Sequence, residues 1–458
     1  MYGPVHEARS ELFKYFDFYI HERIISMSQK NNPIRALWLV NTAFPAVDKY
    51  LGRPEYVGTG SWMKATMVEM VKRESLEIGI VWASDSVRKY EKFEEGNIIY
   101  YLVPLHPLPV RKKNKLNRIW ANLIRIRNLV KRHKYSNELR NSIRAVNDFK
   151  PDLVHVWGTE LFYGLISNKI DVPVLIKMQG LLSVIKDDYW GELKWHNRIS
   201  MANEMLSYFD LSNRAKNELN ILKLGRYFEG RTFWDHSHLR EHNASAHYYD
   251  VPEMMRPSFY ESKWSIENIK RHSVYTTARS MPAKGTACLI KAISIVRQYV
   301  PDIQLRIGGH IANSGYGKFL KRMVTDLGLE DCVTFLGPVT EHEIIHELLN
   351  AHVYALSSFI ENSCNSLIEA QMVGVPCVVA YVGGVTSLVT DQETGIFFHK
   401  GDSATLAMNI RKILNDDLLA LKLSQGARKF ALDRYAKDRV VNGTVSTYRE
   451  ILEHARNN

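Results

Sequence analysis

Short apolar runs and amphipathic stretches take turns along this chain, and their spacing decides the fold class. In the first half, apolar blocks at 34–40 (IRALWLV), 78–82 and 98–103 read as strands, with helical spacing between them over 63–73. Helical spacing returns at 137–149. Pro151 and Asp152 then open a buried strand that ends at Trp157, and a further strand covers 172–177. The stretch 248–264, with Pro252 and Pro257, reads as a connection into a second unit. There, strands at 272–277, 303–307, 333–336, 352–358, 375–380 and 394–398 alternate with helices at 286–298, 318–327, 341–350, 367–373, 402–416 and 418–435. Such alternation predicts an α/β protein with two Rossmann-like domains over 33–268 and 269–436. Residues 1–32 read as a helical extension, clearest over 10–28 and rich in aromatic side chains, to which no role attaches.

The most informative stretch runs from Leu356 to Gly384, LSSFIENSCNSLIEAQMVGVPCVVAYVGG. A β-rich run ends at Ser358, residues 362–366 favour a turn, and a helix over 367–373 is closed by Gly374 and Pro376. The next strand, VPCVVA, is apolar throughout, as expected of a parallel strand covered on both faces. Glu361 and Glu369 flank the loop; on one continuous helix they would stand about 80° apart and roughly two turns along the axis. To serve one ligand, Glu361 must lie in the loop at the strand's carboxyl end while Glu369 projects from the first helical turn. That is the crevice in which open α/β sheets bind ligands. The backbone N–H groups of Asn365, Ser366 and Leu367 at the helix start would attract an anion such as a diphosphate. A second reading stays open: Ser366 to Glu369 also spells a capping box, with Glu369 returning to the backbone of its own helix.

Composition narrows the setting. With 458 residues, 45% of them apolar and 24% charged, the chain can bury two substantial cores. No apolar run approaches the roughly 18 residues that span a bilayer, and the N-terminus lacks the apolar block of a signal peptide, so a cytoplasmic location is expected. Cys288, Cys332, Cys364 and Cys377 show no CxxC spacing, which predicts free thiols rather than a zinc site or disulfides. The net charge of +11 invites nucleic acid, an anionic substrate or an anionic membrane as partner. Between Arg111 and Lys134 stand ten Lys or Arg and no acid, with Leu116, Ile119, Trp120, Leu123, Ile126 and Val130 at helical spacing. A basic amphipathic helix of this kind suits peripheral contact with the inner face of a membrane, or packs on its own domain with the basic side solvated. No nucleic-acid module accompanies it, so nucleic acid ranks last.

Other strand ends carry candidate chemistry. Gly58 and Gly60 follow the first strand and would let the backbone approach a ligand. Trp157, Gly158, Thr159 and Glu160 are delivered toward the same edge, as is Gln179 after the strand at 172–177. His155 sits within its strand and reads as a core histidine. His238, His242 and His247 lack metal-like spacing and read as a surface loop. In the second unit Arg279 and Lys284 leave one strand-to-helix loop, a guanidinium and an ammonium suited to two oxygens of a diphosphate. Gly308 ends the following strand, and no DxD-like carboxylate pair stands near these residues to hold a metal.

The Glu361 and Glu369 pair, the Ala370-x-x-x-Gly374-x-Pro376 tail and Gly383-Gly384 resemble the E-x7-E signature of retaining glycosyltransferases of the GT-B fold, family-4 (glycosyl transferases group 1) type. The likeness is close over the second domain and looser over the first. It implies two Rossmann-like domains facing a cleft, with a UDP- or GDP-linked sugar as co-substrate on the second, no other cofactor, and the acceptor on the first. Glu361 would contact the donor sugar and Glu369 the ribose, while Arg279 and Lys284 would neutralise the departing diphosphate in place of a metal. Asn365, Ser366, Leu367, Gly308, Gly383 and Gly384 would line the donor side; Gly58, Gly60, Trp157, Glu160, Gln179, Arg231 and Asp235 would line the acceptor side.

PDLVHVW resembles the family's PDxxHxH segment, and GRTFWD at 230–235 resembles a block of some bacterial polysaccharide glycosyltransferases. Arg231, Trp234 and Asp235 there would either orient a sugar or form a structural knot. The chain departs from the family at Asn362 and Cys364, where glycines are common, and at Gln179, where relatives often carry a histidine near the reacting sugar. A last helix, 439–456 within 437–458, is expected to return to the first domain. The implied function is transfer of a sugar to a glycan or lipid-linked glycan in cell-surface polysaccharide biosynthesis. A nucleotide-sugar epimerase on the same fold and a non-catalytic sugar-nucleotide-binding subunit are the alternatives.

Overall fold

A computed structural model of the protein describes residues 33–54, 60–105, 135–199, 201–311 and 315–457. The extension 1–32, Gly58 and the basic stretch 111–134 lie outside them.

The first sheet contains β1 (Ile34–Val40), β2 (Leu76–Ser84), β3 (Glu91–Glu95), β4 (Ile98–Pro104), β5 (Leu153–Trp157), β6 (Val174–Lys177), β7 (Tyr227–Gly230) and β8 (His247–Asp250). Their order is β3-β4-β2-β1-β5-β6-β7-β8, and every pairing is parallel except that of β3 with β4. The second sheet contains β9 (Ser273–Thr277), β10 (Gln304–Gly308), β11 (Val333–Gly337), β12 (Val353–Leu356), β13 (Cys377–Ala380) and β14 (Ile396–Phe398). It runs β11-β10-β9-β12-β13-β14, wholly parallel. In each sheet the strand order reverses once, between β1 and β5 and between β9 and β12. Such switch points open a crevice at the strands' carboxyl ends. This is an α/β protein of the GT-B fold.

Two edge strands escaped the apolar pattern. In β3, EKFEE, only Phe93 is apolar; it stacks between Tyr50 and Tyr100 with ring centroids 4.1 and 4.9 Å away. Its charged neighbours face solvent, a common guard for a sheet edge. In β8, HYYD, the chain makes one more strand before it leaves the sheet, so residues 247–250 are not yet connection. His247 therefore lies in a strand, and His238 and His242 lie in the helix Phe233–His242 rather than in a loop.

The crossover into the second domain comes early. Met255, Phe259 and Trp264 already belong to the second core, where Trp264 donates from its backbone N–H to Val373 and from its indole to Ala351, each at 2.8 Å. An excursion from the first domain joins the same core. Leu182, Tyr189, Trp190, Leu193 and Met201, around the helices Leu182–Ile185 and Ala202–Leu224, pack against it. Lys291 with Glu192 and Lys400 with Asp188, both at 2.8 Å, tie the excursion to the second domain. The excursion thus bridges the two domains.

The helix Asp417–Arg434 packs on Asn365–Val373, and Lys437–Arg456 then crosses back. Its Val440, Val441, Val445, Tyr448 and Ile451 enter the first core beside Trp38 and Val40. The Tyr448 hydroxyl accepts from Trp38 Nε1 at 3.0 Å and meets His155 Nδ1 at 2.7 Å. His155 is fully buried; burial first, then the Lys177 ammonium, holds its pKa well below the ordinary histidine value and keeps it neutral. The four cysteines are free and buried, and no described helix is long and apolar enough to cross a membrane.

Candidate functional site

The second switch point gathers the residues of the central stretch. β9 ends at Thr277 and releases Arg279 and Lys284; its neighbour β12 ends at Leu356 and releases Glu361. Backbone contacts stitch the two loops together. Phe359 N–H donates to Ala283 O at 2.7 Å, and the Ser357 hydroxyl donates to Lys284 O at 3.3 Å. Gly285, at φ +64°, allows this approach, since a Cβ there would stand 1.8 Å from Ser357 O. From the far side Gly383, at φ +43°, presses on Glu361 O, where a Cβ would come within 2.1 Å, and Gly384 N–H donates to the same oxygen at 3.0 Å. Glu361 is therefore fixed from two directions.

Lys284 Nζ lies 2.5 Å from Glu361 Oε1, across 77 residues of sequence, and the Ser358 hydroxyl donates to that same oxygen at 2.7 Å. The lysine side chain is 29% exposed and the glutamate 12%, so the pair borders the crevice rather than lying sealed in the core. Burial works to lower the lysine pKa, but the Glu361 carboxylate outweighs it, and the ammonium stays charged. Arg279 is exposed on the same loop and is close enough to act on Lys284 electrostatically. Two cations thus border a crevice against one carboxylate.

The helix that follows starts at Asn365, two residues before the sequence pattern placed it. No side chain caps it, and Ser366 lies inside the first turn with its hydroxyl held by Tyr354 at 2.8 Å. The capping-box reading of Ser366 and Glu369 does not hold, because Glu369 turns outward to a partner that the sequence reading passed over. Arg256 Nη2 donates to Glu369 Oε1 at 2.6 Å. Burial pushes the Glu369 pKa up, and Arg256 offsets part of that rise. Gly308 closes β10 over the Tyr275 hydroxyl, with β9 between it and β12.

On the first domain the expected residues divide. Gly60 caps the helix Ser61–Met70 at φ +92°, packed on Thr42 of the loop after β1. Trp157 is not a cleft residue: it is 2% exposed, and its ring packs on Trp38 and Trp62 at 4.5 and 5.5 Å, because the last residue of β5 points into the core. Glu160 does reach the strand-end edge, where Oε2 is buried without a hydrogen-bond partner and burial pushes its pKa up to about 7. The Gln179 side chain donates to Trp157 O at 3.4 Å.

The GRTFWD block is a knot. Arg231 is 4% exposed, pairs with Glu253, and donates to Gln179 O at 2.6 Å. Asp235 is fully buried, closes a capping box with Thr232, and accepts from Tyr248 at 2.6 Å. Its polar capacity is spent on protein partners, whereas Arg231 keeps its buried Nε without one. Asn362 completes the seam from the other domain: its amide donates to Gln179 O at 2.9 Å and Asp235 at 3.0 Å and accepts from the Thr232 hydroxyl at 2.7 Å. A glycine at 362 would make none of these bonds, which gives a physical reason for this departure from the family pattern.

Arg256 was not singled out from sequence, Ser358 was read only as the end of a strand, and Asn362 only as a turn residue that departs from the family pattern. Arg256 has one local signal, its place before Pro257, which favours an extended backbone. Among the described residues, no group of three or more His, Cys, Asp or Glu is arranged to hold a metal ion.

Comparison with known proteins bears on the fold and on the second domain. Residues 262–430 match the family described as Glycosyl transferases group 1. Over 180 residues the chain is 32% identical to a D-inositol 3-phosphate glycosyltransferase of Salinispora arenicola, covering 38% of this chain and 40% of that protein. Over 203 residues it is 28% identical to the enzyme of the same name from Paenarthrobacter aurescens, covering 44% and 50%. The chain thus spans at most about half the length of these relatives. Among solved structures, sucrose-phosphate synthase of Thermosynechococcus elongatus superposes with a TM-score of 0.69 at 16% identity, over 92% of this chain and all of that one. HepE of Anabaena, solved with UDP-glucose, superposes with a TM-score of 0.61 at 16% identity, over 93% of this chain and all of that one.

Proposed function

We propose, for a chain of GT-B fold whose residues 262–430 match glycosyl transferases group 1, that it moves a sugar from a nucleotide sugar to a hydroxyl acceptor with retention at the anomeric carbon. The observation that carries this reading is the convergence of Lys284, Arg279 and Glu361 beside an uncapped helix start at the second switch point. A nucleoside diphosphate is what such a place suits: backbone N–H groups and two cations for the phosphates, and carboxylates for hydroxyls. In the proposed reaction the bond from the anomeric carbon to the diphosphate breaks, and its electron pair goes to the leaving oxygen. The acceptor oxygen bonds the same face of the carbon, and its proton leaves with the diphosphate. Charge grows on the leaving group, so fixed cations there lower the barrier without a metal. Glu361 would hold the sugar and Glu369 the ribose.

HepE was solved with UDP-glucose and a related fold, WaaG, is described as involved in lipopolysaccharide biosynthesis. They favour a UDP-sugar as donor and a cell-surface glycan as acceptor. The test is a ligand-observed NMR screen of UDP-, GDP- and ADP-sugars, with Glu369→Ala as control. One clear binder that the variant loses is expected. No binder in the wild type would sink the reading, and conversion of the donor sugar without acceptor would mark an epimerase instead.

A further inference from the structure

Glu369 is oriented by a residue that belongs to neither sheet. Arg256 stands in the connection between the domains, where Pro257 favours an extended backbone, and it adopts φ −66° and ψ 143°. Its guanidinium is held three ways. The plane lies over Phe259, 4.6 Å from the ring centroid; Nη1 meets Glu341 Oε2 at 3.3 Å; Nη2 meets Glu369 Oε1 at 2.6 Å. Glu341 is itself anchored by the Ser258 hydroxyl. The Arg256 side chain is only 15% exposed, and swinging the fork away would break both ion pairs and leave the Glu369 carboxylate partly buried without its cation. Glu369 Oε1 is thereby occupied, and no described residue bonds Oε2. Three residues earlier, Glu253 on the same connection pairs with Arg231 of the first domain. The carboxylate in the second domain is thus held from a strut whose other end is fastened to the first.

We propose that Arg256 is the positioning residue of the donor site: by holding Glu369 Oε1 it presents Oε2 to the ribose hydroxyls of the nucleoside diphosphate, and so sets the preference for ribose. The inference rests on the donor reading of Glu369 above. Arg256 itself touches no substrate. A planar, always charged fork suits the role, since it favours the ionised, hydrogen-bond-accepting form of Glu369 against the burial that raises the carboxyl pKa.

The test compares UDP and GDP with their 2′,3′-dideoxy forms on the full chain by titration calorimetry, taking the ratio of the two dissociation constants for whichever nucleotide binds more tightly. A charge-assisted bond to a ribose hydroxyl predicts a wild-type preference of about tenfold or more. R256M is expected to bring that ratio to within about twofold of unity. A purely structural role would weaken both ligands together and leave the ratio unchanged, which overturns the proposal. Should R256M fail to fold, E341Q, which removes only the second anchor of the guanidinium, is expected to lower the ratio at least threefold, and an unchanged ratio there is equally decisive. The pH profile is a second readout: as pH falls, R256M binding is expected to begin weakening at a higher pH than wild-type binding, because Arg256 lowers the Glu369 pKa and burial alone raises it. A wild-type protein that binds both forms equally would overturn the donor reading of Glu369 itself.

Discussion

Replacing Lys284 by methionine removes one positive charge at nearly constant side-chain length, and the structure sets the size of the effect. A fixed cation about 4 Å from a diphosphate oxygen is worth about 4 kcal/mol at an effective dielectric constant near 20. Lys284 is 29% exposed and already engaged with Glu361, so part of that interaction is screened or present before the reaction. The lower end of the range for loss of one oxyanion-stabilising group applies, about 2.7 kcal/mol or roughly 100-fold. Because the charge develops as the diphosphate leaves, the loss should fall on kcat, with the donor Kd changing by less than about fivefold. Nucleotide release from the donor found by the NMR screen, measured without acceptor so that water takes the sugar, gives kcat; titration gives Kd. Lys284→Arg should recover part of the rate. Turnover within threefold of wild type, combined with much weaker donor binding, would refute the leaving-group role and leave Lys284 as a ground-state contact.

Two further outcomes concern stability. His352 is fully buried with no partner on either ring nitrogen; burial, then Arg271, takes its pKa from 6.5 to about 4. The folded state resists protonation that the unfolded state accepts, so this stabilisation is complete above pH 6.5 and is lost as pH falls toward 4, reaching about 2 kcal/mol by pH 5. Urea unfolding of His352→Leu at pH 7.5 and 5 should show a smaller acid loss than wild type; equal losses would exclude His352 as the cause. Tyr448→Phe leaves the Trp38 indole N–H and one His155 nitrogen unpaired in the core, a cost of about 2 kcal/mol in unfolding followed by tryptophan fluorescence. A change under about 0.5 kcal/mol would mean that the network re-forms without the hydroxyl.

Most of the alternation of strands and helices was readable because parallel strands buried on both faces are apolar end to end, as IRALWLV and VPCVVA are. The edges were not: β3 is mostly charged, and β8 is four residues placed where prolines already suggested a connection. Within the site, the residue types of Glu361, Lys284 and Arg279 were legible from their motifs. The pairing of Lys284 with Glu361 was not, since it depends on two loops meeting across neighbouring strands. Glu369 and Ser366 show the limit from the other side. Their spacing satisfies a capping box, yet tertiary structure supplies Arg256 from 113 residues away, and that charged partner wins. Trp157 went astray for a related reason, since a strand end can deliver a side chain inward as readily as outward, while Arg231 takes the structural alternative that its motif had left open.

The returning helix has a consequence for how the protein is made. Trp38 is synthesised 410 residues before Tyr448, whose hydroxyl accepts its indole hydrogen bond. At roughly 5–20 residues per second, the opening strand emerges from a ribosome roughly 20–80 s before the helix that covers it. During that interval Ala36, Trp38 and Val40 lack part of their native cover. The first domain to begin is therefore the last to be finished, and a chain stopped after Tyr435 would leave the first core open while the second could already be complete.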